Sequence, residues 1–337
     1  MKRRILLIAT GGTIASRKAE NGLVPLIEAD EILKYIPDVW DICEPAAIQI
    51  CNIDSTNMEP KHWKLIAKAV KDHYEQYDGF VIAHGTDTMA YTAAALSYMI
   101  QNSAKPIVLT GSQKSIDLEI TDAKTNLLDS FIYAADGMSQ GVQIVFGGKV
   151  IAGTRAKKVR SKSYNAFDSI DFPFLAIIQD RRIMRYIPQI PYQHPVQFCP
   201  DMNENIFLMK LIPGISPKGL EFFFEQYDGI IIESFGVGGI PASIAEVFYR
   251  LYEQHPGKVI IMATQVAHEG SDMTVYEVGN KIKKDCRFLE SYDMTLEAVI
   301  AKTMWMLEED NRQGHSVEEI FYKKINYDLI FSNGSSD

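Results

Sequence analysis

What most constrains this chain is a recurring order: a short β-branched apolar run, a polar loop, then a stretch with helical spacing. In the first half the apolar runs are Ile5–Ala9, Phe80–His84, Ile107–Thr110 and Val142–Phe146. Between them, Pro60–Tyr74, Thr88–Ile100 and Asp122–Ala135 carry apolar residues at helical intervals. Strands alternating with helices in this way predict βαβ units and a mainly parallel sheet. Pro60 suits the first turn of its helix, where its missing N–H would have no partner anyway. After about Arg185 the character changes. Tyr186–Pro195 holds three prolines and reads as an extended linker. A second alternating set follows, with strands expected at Ile206–Leu211, Gly229–Glu233 and Lys258–Ala263. Its helices are expected at Gly219–Glu225, Ala242–Gln254 and Leu296–Glu308. The expected organisation is an N-terminal α/β domain over residues 1–185, a linker over 186–205 and a C-terminal α/β domain over 206–337. The tail from Asn333 to Asp337 is expected to fray. The sequence shows no solenoid-like repeat and no low-complexity tract.

Length and composition agree with that division. At 337 residues the chain fits two domains, each of roughly 100–200 residues. That is enough to bury cores without disulfides or structural metals. With 47% hydrophobic and 23% charged residues the composition is ordinarily globular. A formal net charge of −9 disfavours a broad nucleic-acid or anionic-membrane surface. Cys43, Cys51, Cys199 and Cys286 are scattered, with no CxxC or Cys/His cluster, which argues for buried reduced thiols rather than disulfides or zinc. Met1–Ala9 imitates a secretion signal, with basic residues ahead of apolar ones. Its apolar run ends at Ala9, whereas a signal needs roughly 7–15 apolar residues and a small-residue cleavage site. A first buried strand is expected instead. No stretch approaches the roughly 18 apolar residues of a membrane span, and the cytoplasm is the default compartment.

Ligands of open parallel sheets bind beyond the carboxyl ends of strands, where loops converge. The loop Thr10-Gly11-Gly12-Thr13-Ile14 is glycine-rich but lacks both GxGxxG and the lysine of a phosphate-cradling loop. It reads either as a turn presenting Thr13 to a ligand or as a tight turn with Thr13 bonded to backbone. In His84-Gly85-Thr86-Asp87-Thr88-Met89, Thr86 or Asp87 could cap the following helix. His84, at a buried strand end, reads as a hydrogen-bonded core residue rather than a general base. Asn52–Met58 and Thr110–Lys114 are further polar loops, the first a turn plus cap on its own. Gly153–Lys162 is basic and by itself reads as solvated surface, yet one buried lysine there would be a candidate base, since desolvation lowers a lysine pKa.

Taken together and in this order, these loops resemble the bacterial-type L-asparaginases, specifically the cytoplasmic type I branch of the asparaginase/glutaminase family. The carriers are Thr10-Gly11-Gly12-Thr13-Ile14, Asp54-Ser55-Thr56-Asn57-Met58, His84-Gly85-Thr86-Asp87-Thr88-Met89, Thr110-Gly111-Ser112-Gln113, and Arg155 followed by Lys158. The second half matches through Phe235–Pro241.

The resemblance implies a two-domain α/β fold, with a larger doubly wound N-terminal domain and a smaller Rossmann-like C-terminal one. It implies hydrolysis of L-asparagine to L-aspartate and ammonia through an acyl-enzyme. No metal or organic cofactor is implied, and the assembly is a homodimer or homotetramer with each site near a subunit interface. By motif, Thr13 corresponds to the nucleophile, and Thr86, Asp87 and Lys158 to a supporting triad. The substrate-binding set is Asp54, Ser55, Thr86, Asp87 and Ser112, with Ser55 at the α-carboxylate and Asp87 at the α-ammonium. This chemistry suits the residue types. A threonine hydroxyl must lose its proton to a positioned base, and a lysine whose charged form is destabilised can accept one. Oxyanion donors are expected from backbone N–H groups near Thr86 and from the Ser112-Gln113 loop.

Some positions depart from the family pattern. Leu23, in the stretch Asn21-Gly22-Leu23-Val24-Pro25, stands where the loop after the nucleophile usually supplies a tyrosine, and Ser16–Gly22 just before it is expected to form a mobile lid. Glu233 and Val266 replace an arginine and a cysteine associated with a second, regulatory asparagine site, so hyperbolic kinetics are expected. Gly239 replaces an asparagine that many members contribute to a neighbouring subunit's site.

Two rival functions share the fold. An asparaginase-like subunit of a tRNA-dependent amidotransferase carries an extra domain ahead of the module, whereas here Ile5 already begins the first strand. A non-catalytic amino-acid-binding protein is disfavoured by the joint presence of Thr13, Thr86, Asp87 and Lys158. A dinucleotide-dependent enzyme fails for want of GxGxxG, since Gly236-Val237-Gly238 runs on to Pro241.

Overall fold

The computed structural model describes residues 2–19, 22–25, 27–273 and 288–330. Strand β1 (Arg4–Gly11) leads through a 3-10 turn at Thr13–Ala15 into an antiparallel hairpin, β2 (Ser16–Ala19) and β3 (Gly22–Pro25). Helices α1 (Ala29–Lys34) and α2 (Val39–Ile42) precede β4 (Glu44–Ile53) and α3 (Pro60–His73). Next come β5 (Gly79–Ala83), α4 (Met89–Met99), β6 (Ile100–Gln101), β7 (Pro106–Thr110), α5 (Ala123–Ala135) and β8 (Gly141–Phe146). Short strands complete this unit: β9 (Lys149–Ala152), β10 (Ala156–Lys158), β11 (Phe167–Ser169), β12 (Ala176–Gln179), β13 (Arg182–Arg185) and β14 (Gln197–Phe198).

The main sheet has the order β13-β12-β9-β8-β7-β5-β1-β4. From β4 to β8 every pairing is parallel, whereas β9, β12 and β13 extend the sheet antiparallel. Every residue of β5 and β7 is buried, as strands covered by helices on both faces must be, which is why they read as unbroken apolar runs. Pattern reading passed over β4. It is an edge strand, half-exposed along its length, and Pro45 near its start is tolerated because an edge has N–H positions without a ladder partner. Pro60 opens α3 as expected, with a reciprocal Glu59–His62 capping box. Helix α4 is apolar all round and buried on nearly every side, as a helix enclosed by the fold must be.

The proline-bearing stretch after β13 lies along this unit. Gln189 accepts from the Gln140 N–H at 2.8 Å and donates to the Tyr133 hydroxyl at 3.0 Å, and β14 pairs with β6. The chain divides into units at Met1–Pro200 and Asp201–Asp337, a boundary inside the 186–205 segment.

Among the described residues the second unit has four parallel strands: β15 (Ile206–Lys210), β16 (Gly229–Ser234), β17 (Val259–Thr264) and β18 (Leu289–Glu290). Its helices are α6 (Leu220–Gln226), α7 (Ala242–Gln254), α8 (Leu296–Leu307), α9 (Glu309–Arg312) and α10 (Val317–Tyr322). Leu220, Phe224, Ile244 and Phe248 from α6 and α7 pack with Ile230, Ile232, Ile260 and Met262 from β16 and β17 in one core. Gly239 has φ +130°, a backbone that a side-chain-bearing residue rarely adopts, so glycine there goes with this turn's own conformation.

Cys43 is buried as expected, but Cys51 and Cys199 are only half-buried, and Cys286 lies outside the described residues. Among the described residues no helix is long and apolar enough to cross a membrane.

Candidate active site

Loops leave the carboxyl ends of the adjacent parallel strands β1, β5 and β7, the edge where an open sheet binds ligands. The loop after β1 turns at Gly12, whose φ is +79°. A β-carbon on Gly12 would stand 2.4 Å from the Gly85 backbone, and one on Gly85 would stand 2.6 Å from Ser55 Oγ. The missing side chains let the Thr13, Thr86 and Ser55 loops pack directly on one another. The Gly12 N–H also donates to Ile53 O at 2.9 Å, tying the turn that bears Thr13 to the end of β4.

Thr86 is buried, and Lys158 reaches it from 72 residues further along the chain. Lys158 Nζ donates to Thr86 Oγ1 at 2.8 Å and to Asp87 Oδ1 at 2.5 Å. The Lys158 side chain is 16% exposed and that of Asp87 55%, so the carboxylate has a free flank toward solvent or a ligand. Neither Thr86 nor Asp87 caps α4. The cap position is Thr88, and its hydroxyl turns away to donate to Ser55 O at 2.7 Å. Capping therefore does not account for this polar pair.

Ser55 is buried in the 3-10 turn Ser55–Asn57, and its Oγ accepts the Asp87 N–H at 3.3 Å. Asp54 is exposed, and its Oδ1 accepts both the N–H and the hydroxyl of Thr56 at 2.9 Å, which caps that turn. Ser112 is fully buried and its hydroxyl donates to Lys114 O. A serine or threonine hydroxyl carries one proton. Those of Ser55 and Thr86 donate to nothing else among the described residues, whereas that of Ser112 is already used.

The Gln113 N–H donates to both oxygens of Asp122, at 3.1 and 2.9 Å, and the Lys114 N–H donates to Asp122 Oδ1 at 3.1 Å. These N–H groups are taken, so the expectation of oxyanion donors from the Gln113 backbone does not fit this arrangement. Asn126 completes the support, donating to Gly111 O at 2.9 Å and accepting from the Gly147 N–H at 2.9 Å. Sequence reasoning missed Asp122 and Asn126 as loop anchors. Their one signal was their place at the start of an expected helix, which reads as ordinary capping.

Thr13 is half-buried, and among the described residues its hydroxyl has no hydrogen-bond partner and does not join Thr86 or Lys158. The Leu23 side chain and part of the expected lid, Glu20 and Asn21, lie outside the described residues; the lid's backbone otherwise forms the β2–β3 hairpin.

His84 is a core residue, as read from its position. His84 Nδ1 faces Gly85 O, which can only accept, so in the neutral ring Nε2 accepts from the Thr92 hydroxyl at 3.0 Å, and that hydroxyl in turn accepts the Trp63 Nε1–H at 2.9 Å. His84 Nδ1 is then the protonated nitrogen and donates to Gly85 O at 2.6 Å. Burial lowers this imidazole pKa to about 4, only partly offset by the bond to Gly85. The ring is neutral and braces the loop ahead of Thr86. Among the described residues no three His, Cys, Asp or Glu side chains converge as metal ligands.

Residues 4–190 match the family model described as Asparaginase, N-terminal, and residues 205–321 the one described as Glutaminase/Asparaginase C-terminal domain. The chain is 39% identical over 306 residues to an L-asparaginase of Thermococcus kodakarensis, spanning 90% of this chain and 92% of that protein. It is 35% identical over 317 residues to a glutamyl-tRNA(Gln) amidotransferase subunit of Pyrococcus abyssi, spanning 90% of this chain and 72% of that one. The solved structure of the thermostable L-asparaginase from Thermococcus kodakarensis superposes with a TM-score of 0.89 at 35% identity, over 98% of this chain and 100% of that one.

Proposed function

The chain belongs to the asparaginase/glutaminase family, and from that premise we propose that it hydrolyses L-asparagine to L-aspartate and ammonia. The observation that carries the reading is Lys158 Nζ bonded at once to Thr86 Oγ1 and Asp87 Oδ1. In this reading Thr13 Oγ1 attacks the side-chain amide carbon. The Thr13 proton ends on the departing nitrogen, ammonia leaves, and an ester to Thr13 remains. Water then cleaves the ester, giving the side-chain carboxyl group of aspartate and restoring the Thr13 hydroxyl.

The contacts of the other residues support a part for each. A neutral Lys158 would accept the Thr86 proton across the same 2.8 Å, leaving Thr86 able to relay a proton or activate water. The open flank of Asp87 suits the substrate α-ammonium. The unspent hydroxyl proton of Ser55 suits its α-carboxylate. Fixing both ends of the substrate holds the amide against Thr13, which is how positioning lowers the barrier. Asp54 and Ser112 complete the proposed substrate-binding set: Asp54 Oδ1 caps its turn while the residue stays exposed, and the Ser112 hydroxyl, whose proton goes to Lys114 O, can still accept.

The test is ammonia release from L-asparagine, L-glutamine and D-asparagine by the purified protein, without tRNA or a partner protein. L-Asparagine is the expected substrate. Thr13→Ala, Thr86→Val and Lys158→Met should each lower the rate by at least about 100-fold while leaving the fold intact. Full activity in any of them would overturn its role. Release that required tRNA and a partner would favour the amidotransferase reading instead. The same proposal places the protein in the cytoplasm as a homodimer or homotetramer, which analytical ultracentrifugation and cell fractionation would check.

A further inference from the structure

A 3-10 turn as short as Thr13–Ala15 cannot hold itself in place. Its backbone closes on itself through the Ala15 N–H to Gly12 O at 3.1 Å and the Ser16 N–H to Thr13 O. The later carbonyls need partners from outside. Two of them find partners in one distant stretch of chain. The Ile116 N–H donates to Ile14 O at 3.2 Å, and the Ser115 hydroxyl donates to Ser16 O. Ser115, Ile116 and Ser16 are all buried, so water cannot take over these bonds. Just beyond, Leu118 and Ile120 are 47% and 72% exposed, so the stretch dips inward only where it meets the turn. It is anchored in its own right, because Gln113 and Lys114 are held by Asp122 at the start of α5. The turn bearing Thr13 is thus fastened through Ser115 to the body of the sheet domain.

Ser115 has one proton and a second acceptor in reach, Asp117 Oδ1 at 2.6 Å on an exposed residue. Donation to Asp117 would leave Ser16 O without its partner. We propose that Ser115 is a positioning residue for Thr13, acting through its bond to Ser16 O, and that Asp117 competes for that bond. This inference rests on the role proposed above for Thr13.

Steady-state kinetics of Ser115→Ala, Ser115→Thr and Asp117→Asn, beside hydrogen exchange of residues 10–17 in each full-length protein, form the test. In Ser115→Ala, kcat for L-asparagine should fall about 10- to 100-fold, as expected when a nucleophile drifts by up to an ångström, with KM nearly unchanged. Exchange in residues 10–17 should quicken. Ser115→Thr keeps a hydroxyl and should recover both readouts, and Asp117→Asn should keep or raise kcat. An unchanged kcat in Ser115→Ala, a KM that rises in step, no recovery with threonine, or an Asp117→Asn loss equal to that of Ser115→Ala would each overturn the proposal. Were the wild-type protein to release no ammonia from any amide, the reading of Thr13 would fall, and unchanged exchange in Ser115→Ala would overturn the fastening separately.

Discussion

Gly12 and Gly85 meet backbone to backbone: a β-carbon on Gly12 would lie 2.4 Å from both the α-carbon and the nitrogen of Gly85. The obstacle is main chain, so nothing can rotate aside, and an alanine must push apart the loops that carry Thr13 and Thr86. The positive φ of Gly12 adds a conformational cost of about 1–2 kcal/mol. Gly12→Ala should therefore lower kcat/KM for L-asparagine by at least about 100-fold and lower the Tm. Gly257→Ala is the control, since nothing lies within 4 Å of a β-carbon there and its φ is not positive. Equal kcat/KM in the two variants would show that the Gly12–Gly85 contact does not set the distance between the threonines.

His84 makes folding stability depend on pH in a defined window. Burial lowers its folded pKa to about 4, against 6.5 for the free group. Above pH 6.5 both states are neutral and nothing is lost. As pH falls through 6.5 the unfolded chain takes up a proton that the folded one refuses, so stability declines until the folded group titrates near 4. The difference amounts to about 3 kcal/mol. His84→Gln removes this dependence, so urea unfolding at pH 7 and at pH 4 should show a smaller acid loss in the variant, by about that amount. Parallel curves would mean that the buried imidazole is not the group responsible.

Asp129 on α5 has the opposite sign. Its carboxyl is buried, has no hydrogen-bond or ion-pair partner among the described residues, and has its pKa raised by burial from 3.8 to about 6. Below pH 3.8 both states are protonated and there is no penalty; as pH rises through 6 the folded chain must ionise an unpartnered group. Asp129→Asn should therefore be more stable than the parent at pH 8, by up to about 3 kcal/mol, with the gain vanishing below about pH 4. Thermal unfolding across that range is the measurement, and a variant no more stable at pH 8 would contradict the assignment.

How much of this was legible beforehand depended on whether the signal was local. Strands β5, β7 and β8 announce themselves because both faces are buried, and α7 was bounded to the residue by its own periodicity. Edge strand β4 and the antiparallel extension through β9, β12 and β13 are short or half-exposed, so their patterns merge with those of loops. At the site, Thr86, Asp87 and Lys158 were found from motif order, and the structure brings them together. The hold of Ser115 on the turn that bears Thr13, the clamp of Asp122 on Gln113 and the relay from Trp63 to His84 left no trace in residue spacing. Each joins segments by tertiary contact, and only the fold supplies the partner. The fully buried Lys302–Asp328 ion pair in the second unit is of the same kind.

Lys210 and Glu233 stand opposite each other on β15 and β16, with Lys210 Nζ 3.0 Å from both carboxylate oxygens. Position 233 is where the resemblance expects the arginine of a regulatory asparagine site, and position 266 its cysteine. A ligand carboxylate arriving here would meet Glu233 rather than a cation, and Lys210 is already drawn to Glu233. Val266, half-exposed, offers an isopropyl group in place of a thiol. Without differential affinity for a second asparagine there would be no free energy to couple one site to another. The rate should therefore rise hyperbolically with L-asparagine, with a Hill coefficient of about 1, and Glu233→Gln should leave that shape unchanged. A sigmoidal curve from the wild-type protein would mean that asparagine finds its second anchor on other residues.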